Sequence, residues 1–179
     1  MNESWTYTND LLRFAEAFRK RQRRQMWRET SLSSAEKMLF VGFFFVRKLI
    51  ECNKVRDECA RMSFLILRGP ITRKHKVSDF SRWDMVDDVD ELEWNDSRVN
   101  VGQIADSIIH TWWLMPVHSE EKGLHGFVFT TDRKRNSEVF LLPTQTIIDV
   151  FDVFGKGQVR EMHSVHDEET GEVKYVRRN

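Results

Sequence analysis

Residues 38–46 read MLFVGFFFV, the longest apolar run in the chain, and are flanked by Lys37 and Arg47. As an α-helix, a run of this length would extend about 14 Å, whereas the hydrocarbon core of a bilayer is about 30 Å thick. A helix that is apolar almost all round, and too short to span a membrane, is typical of a protein core. We therefore expect residues 34–54 to form an enclosed core helix, which begins at a capping box of Ser33 and Glu36.

The segment before this run has apolar side chains at helical spacing, among them Leu11, Phe14 and Phe18. It predicts a first amphipathic helix over residues 5–28. The break at residues 30–33 is short, and a short connection favours an antiparallel pair of helices.

The segments after the run predict strands, turns and two further helices. Residues 62–68 are typical of a buried strand, and residues 71–98 are expected to form a charged loop. A third helix is predicted over residues 99–111, capped by Asp96 or Ser97. The remaining elements are strands at 112–118, 124–131 and 138–142, a short helix from Thr144 that ends before Gly155, and a hairpin of 159–166 and 172–178.

Together these segments predict a single α+β domain over residues 1–179. An N-terminal antiparallel helical hairpin and a third helix would pack on a C-terminal, mostly antiparallel sheet. We assign residues 1–60 to the hairpin layer and residues 61–111 to a strand, the charged loop and the third helix. Residues 112–179 would form the sheet with one short helix. The tandem Trp112-Trp113 is expected to point to opposite faces of its strand, with one ring in the core.

The net charge of the chain is zero, with 28 Lys and Arg against 28 Asp and Glu, but the charges are segregated. Residues 1–78 hold 17 basic and 8 acidic side chains, whereas residues 79–98 hold 8 acidic and 2 basic ones. The balance excludes a uniformly basic nucleic-acid coat, and the 40% hydrophobic content argues against disorder. The acidic loop could instead neutralise a basic face.

Cysteine usage and the N-terminus favour a cytoplasmic location. Cys52 and Cys59 are too few for a disulfide scaffold and are expected to be reduced. The polar N-terminus lacks the apolar segment of a secretory signal. His163 and His166 would point to opposite faces of a strand, so they predict no zinc site. We expect no metal, no cofactor and no membrane partner.

Two pairs of polar residues at helical spacing form the candidate catalytic site. Arg47 and Glu51 share a face of the second helix, and Asp106 and His110 share a face of the third. Asp106 could accept a hydrogen bond from His110 and orient it as a general base or acid, while Arg47 binds phosphate or an oxyanion. The alternative is an ordinary ion pair beside a histidine at a helix end. The sequence leaves open whether the two helices meet.

The basic second half of the first helix is a candidate surface for nucleic acid or a partner protein. Its residues could contact phosphates, or their stems could cover apolar surface while the charges remain solvated. The acidic loop of the same chain could also bind this basic surface. The residues assigned to this surface are Lys20, Arg21, Arg23, Arg24 and Arg28.

Three functions are compatible with these patterns. The leading hypothesis is a protein-interaction or regulatory module without catalysis of its own, which binds a protein partner or forms a homo-oligomer. The second is a small metal-independent RNase or nucleotide-acting enzyme that uses His110, Asp106 and Arg47. The third is a nucleic-acid binder that uses the basic half of the first helix.

Overall fold

The computed structural model describes residues 3–23, 28–71, 92–119, 123–166, 170 and 173–178. Within this part of the chain there are five helices and seven strands. In chain order they are α1 (Glu3–Gln22), α2 (Glu29–Glu51), α3 (Asp57–Arg61), β1 (Ser63–Pro70), β2 (Asn95–Asn100), α4 (Val101–Ile109), β3 (Thr111–Ser119), β4 (Gly123–Thr131), β5 (Glu138–Pro143), α5 (Thr144–Lys156), β6 (Met162–His166) and β7 (Val173–Arg178).

The predicted α+β class is confirmed. Strands β1 to β5 form one antiparallel sheet in the order β2-β1-β5-β4-β3. Residues alternate between its faces, so that Phe127 and Phe129 of β4 enter the core under the helices while Val128 lies on the opposite face. Strands β6 and β7 pair with each other in a separate two-stranded sheet, rather than joining the main sheet.

The core between the helices and the sheet is largely aromatic. Phe18, Phe43 and Phe151 are fully buried, and the ring of Phe151 lies 6.1 Å from that of Phe18 and 5.3 Å from that of Phe43. These tilted contacts are the preferred geometry of aromatic pairs. They join α1, α2 and α5 into one layer above the sheet.

The predicted bounds of the first two helices are wrong. Helix α1 ends at Gln22 and α2 begins at Glu29, with Arg28 at its N-cap. Ser33 therefore lies inside α2, and the expected capping box with Glu36 does not exist. The backbone N–H groups of Ser31 and Leu32 already donate to the Arg28 carbonyl, so the helix has closed its first turn before Ser33.

The prediction that α2 is enclosed in the core is also wrong, because one side of the helix is exposed. Leu39 and Phe43 are fully buried, but Phe40 is 36% exposed and Phe44 is 51% exposed. The sheet and the other described helices leave this edge of α2 uncovered. No helix in the described ranges is both long enough and apolar enough to cross a bilayer.

Residues 95–100 form strand β2. The sequence pattern predicted a loop up to residue 98 and a helix from residue 99. Strand β2 pairs antiparallel with β1, so that Asn100 lies opposite Ser63 and Asn95 lies opposite Arg68. Helix α4 consequently starts later than predicted, and its cap is Asn100, whose Oδ1 accepts from Gly102 N at 2.9 Å. The polar segment becomes a strand because the open edge of β1 supplies its hydrogen-bonding partners.

Helix α5 continues past its predicted end at Gly155. It runs to Lys156, and Gly157 is the C-cap. Gly155 serves close packing instead, because a Cβ atom there would lie 2.6 Å from Cγ of Leu12 on α1.

The two tryptophans of β3 do not separate as predicted. A bulge between Thr111 and Trp113 places an extra residue in the strand. As a result, both Trp112 and Trp113 pack in the cluster around Val128 on the face of the sheet away from the main core.

Candidate functional site

Helices α2 and α4 meet at an ion-pair network built from the predicted site residues. The Arg47 Nε donates to Glu51 Oε1 at 2.7 Å along α2. Its Nη1 lies 3.1 Å from Asp106 Oδ1 of α4. The structure thus brings together two segments that are more than fifty residues apart in the sequence.

An open cleft of about 430 Å³ lies beside this network. Its walls come from α2, from the last turn of α4 and from the end of β4 with the turn that follows. The lining residues are Arg47, Asp106, Ser107, His110, Thr131, Asp132 and Arg133. Glu51 is not among the lining residues but contacts Arg47, which is.

His110 is the C-cap residue of α4 and is exposed to solvent. Its backbone N–H donates to the Asp106 carbonyl at 2.9 Å, but its ring has no hydrogen bond to another described residue. The expected bond between the Asp106 carboxylate and the His110 ring is therefore not formed, and the carboxylate contacts Arg47 instead. The reason is that Arg47 offers a charged donor, which is the stronger partner for a carboxylate.

The network keeps its charges at neutral pH. The hydrogen bond from Arg47 lowers the pKa of Glu51. The hydrogen bond to Glu51 and the charge of Asp106 raise the pKa of Arg47. Both shifts favour the ionised forms. The ion pairs of Arg47 are made through Nε and Nη1, and the residue also lines the open cleft.

A second cleft, of about 480 Å³, continues from the first. The two share four lining residues: Asp106, Ser107, Thr131 and Arg133. Deeper in the second cleft, the Arg68 guanidinium lies over the Phe140 ring at 5.7 Å. Lys134 pairs there with Glu138 at 2.9 Å.

Sequence reasoning missed Ser107, Thr131, Arg133 and Arg68 as site residues. The basic turn at residues 133–135 directly follows a predicted strand, and this was the available signal for Arg133. The sequence carries no comparable signal for Arg68, because a single basic residue at the end of an apolar strand is common.

The residues of the predicted basic surface are not all on the first helix, because α1 ends at Gln22 and Arg28 is the N-cap of α2. Lys20 pairs with Glu16 at 3.8 Å, and Arg21 donates to Ala17 O and to Ser34 Oγ. Arg23 is exposed beyond the end of α1, and Arg28 is exposed at the start of α2. Arg24 lies outside the described residues.

An apolar groove of about 450 Å³ adjoins the first cleft along α2 and α4. Phe44 precedes Arg47 by one turn of α2, and Ile109 directly precedes His110, so the groove and the cleft are neighbours. The groove is lined by Phe40, Val41, Phe44, Phe45 and Ile109.

Comparisons with models of known protein families, with curated proteins and with solved structures find no match to this chain. The described residues contain no group of three or more His, Cys, Asp or Glu side chains placed to hold a metal ion.

Proposed function

We propose that the protein is a small RNase, and that it cleaves single-stranded RNA at the cleft between α2, α4 and the end of β4. The observation that carries the proposal is the convergence of Arg47, Asp106 and His110 on one open cleft. An exposed imidazole, two guanidinium groups and two hydroxyls around one cavity are the side chains that phosphodiester cleavage by general acid–base catalysis requires.

Arg47 and Arg133 would bind the non-bridging oxygens of the scissile phosphate. Arg47 is held in place by Glu51 and Asp106, so little conformational entropy would be lost when its guanidinium binds the ligand. Arg133 lines the same cleft and has no ion pair with another described residue. Asp106 is a positioning residue in this arrangement, because it acts through Arg47.

His110 would serve as the general base. Its ring takes the proton from the ribose 2′-hydroxyl, whose oxygen attacks phosphorus while the bond to the 5′-oxygen breaks. The leaving oxygen takes a proton from water, and the product carries a 2′,3′-cyclic phosphate. The Arg47 and Arg133 guanidinium groups stabilise the charge that develops on the phosphorane.

The test is the cleavage of end-labelled single-stranded RNA by the purified protein and its variants. We expect the wild type to release products with cyclic phosphate ends, and His110→Ala to reduce the rate by roughly 100-fold or more, the usual contribution of general base catalysis. Arg47→Gln should reduce the rate by a similar factor. DNA of the same sequence should not be cleaved, because it lacks the 2′-hydroxyl.

His163→Ala is the matched control for a contaminating nuclease or a general histidine effect. His163 is exposed on β6 and lines none of the clefts described above. Its variant should cleave at the wild-type rate. Equal rates in the wild type and His110→Ala, or no cleavage by any of the proteins, would refute the proposal.

A second candidate function is supported by the apolar groove. Phe40 and Phe44 expose large aromatic surfaces side by side, and exposed apolar surface of this kind often marks an association site. We propose self-association through this groove as the alternative to catalysis. The groove adjoins the cleft, but neither His110 nor Arg133 lines it.

A further inference from the structure

We propose that Arg68 forms a second phosphate-binding site, so that the ligand is a single-stranded oligonucleotide that lies across both clefts rather than a mononucleotide. This inference rests on the proposed function and specifies its substrate. Its first support is the continuity of the two clefts, which share Ser107, Thr131 and Arg133 along one wall. Each has a volume in the range of small-ligand pockets, roughly 300–1,000 Å³.

The second support is the electrostatic state of Arg68. Lys134 is paired with Glu138, and Arg47 is paired with Glu51 and Asp106. Arg68, by contrast, has no ion pair with a described residue, and its Nε is buried without a hydrogen-bond partner. Glu138 lines the same cleft, but its carboxylate lies 2.9 Å from Lys134, and no described carboxylate forms an ion pair with Arg68. Because a buried donor without a partner costs free energy, an anion bound beside Arg68 would be stabilised by the guanidinium.

The third support is the way in which Arg68 is held. Its guanidinium lies over the ring of Phe140, which is itself buried in the core. A guanidinium over an aromatic ring is stabilised by the cation–π interaction and keeps N–H donors at its edge for hydrogen bonding to phosphate. Phe140 therefore supports the Arg68 side chain in the second cleft.

Arg133 connects the two sites, because it lines both clefts and has no ion pair with the described residues. A phosphate bound near Arg47 and His110 would be followed along the strand by a phosphate near Arg68, with Arg133 between them. A mononucleotide would occupy the first site alone and would not reach Arg68.

The experiment measures binding by the His110→Ala protein, which does not cleave RNA under the proposed mechanism. The probes are a labelled uridine hexanucleotide and uridine 3′-monophosphate, titrated between 50 and 200 mM salt. We expect Arg68→Gln to weaken binding of the hexanucleotide by about tenfold, the effect of about 1.4 kcal/mol. The slope of log K against log salt should fall by about 0.7, as expected for one phosphate contact on a single strand. Affinity for the monophosphate should not change.

Two further variants control for structure. Arg68→Lys keeps the charge but loses the planar guanidinium, so it should retain the salt dependence of the parent protein while binding the hexanucleotide with an affinity between those of the parent and Arg68→Gln. Arg13→Gln removes an exposed arginine on α1 that lines neither cleft, and it should have no effect.

The inference is overturned if Arg68→Gln leaves the binding of the hexanucleotide unchanged, or weakens both probes equally. The RNase proposal survives either result as long as the wild type cleaves RNA and His110→Ala does not. Absence of RNA cleavage by the wild type overturns the RNase proposal, whereas selective loss of hexanucleotide binding in Arg68→Gln would still identify the second phosphate site.

Discussion

Arg47 shows at the scale of single residues how the site is held together. Its guanidinium contacts Glu51 on its own helix and Asp106 on a helix from a distant part of the sequence. Each contact alone is a surface ion pair of small energetic value. Their combined effect is positional, because two carboxylates fix the direction in which Arg47 presents its remaining N–H groups.

Glu36 is a residue whose partial burial disfavours the ionised form of its side chain. It lies partly buried on α2 without a described partner, and desolvation raises its pKa above the ordinary value of 4.5. A raised carboxyl pKa means that the folded state binds the proton more tightly than the unfolded state. The ionised carboxylate therefore costs stability at pH 7, and the cost disappears once the pH falls below the ordinary pKa.

We predict that Glu36→Gln raises Tm slightly at pH 7, by about 1 °C, and has no effect near pH 3.5. Thermal melts followed by circular dichroism at the two pH values provide the measurement. Glu29→Gln is the control with the opposite sign, because Glu29 lies in the first turn of α2 and favours the helix dipole. A lower Tm for Glu36→Gln at pH 7 would contradict the prediction.

At the scale of elements, the packing of α2 against α5 depends on the absence of a side chain at Gly42. Glycine is unfavourable inside a helix by about 1 kcal/mol relative to alanine. Gly42 is nevertheless buried in the middle of α2, and the ring of Phe151 from α5 occupies the space that a Cβ atom would need. Tertiary packing therefore overrides helix propensity at this position.

We predict that Gly42→Ala destabilises the protein by about 1–3 kcal/mol, the usual cost of overpacking a core. For a chain of this length the expected fall in Tm is roughly 2–10 °C. Chemical denaturation and thermal melts measure the change. Lys37→Ala, at an exposed position of α2, should be nearly neutral. Pairing Gly42→Ala with Phe151→Leu should cost less than the sum of the two single changes, and full additivity would contradict the assigned contact.

At the scale of the whole molecule, zero net charge conceals a strong separation along the sequence. The excess of basic residues lies in the first 78 positions, and the excess of acidic residues lies mostly in the next twenty, with the remainder in residues 138–179. Among the described residues, the cations at the candidate site are of two kinds. Some, such as Arg47 and Lys134, are paired with carboxylates, and others, such as Arg68 and Arg133, are not.

Self-association is a property of the whole molecule. If the groove at Phe40 and Phe44 binds a second copy of the chain, light scattering coupled to size exclusion should show a dimer or a larger species at micromolar concentration. Phe44→Ser should shift the protein to a monomer, since it removes the more exposed ring of the groove. Trp5→Ser is the control, because Trp5 is 64% exposed on α1 outside the groove. A wild-type monomer at all concentrations would argue against this function.

Local sequence patterns were sufficient to predict many of the helices and strands. The apolar run at residues 38–46 and the spacing of Leu11 and Phe18 predicted helices that the structure contains, and the strand predicted at residues 124–131 corresponds to β4. The errors occurred where a distant partner decides the outcome. Residues 95–100 are a strand because β1 lies beside them.

The sequence by itself determined the α+β class, the two long helices and the candidate set of Arg47, Glu51, Asp106 and His110, because hydrophobic period and side-chain chemistry are local properties. Only the tertiary structure decided that α2 and α4 meet, that Asp106 pairs with Arg47 rather than with the His110 ring, and that Arg68 and Arg133 line the same continuous cavity. These are contacts between segments distant in the chain. They depend on how the helices pack over the sheet, and no local pattern encodes that geometry.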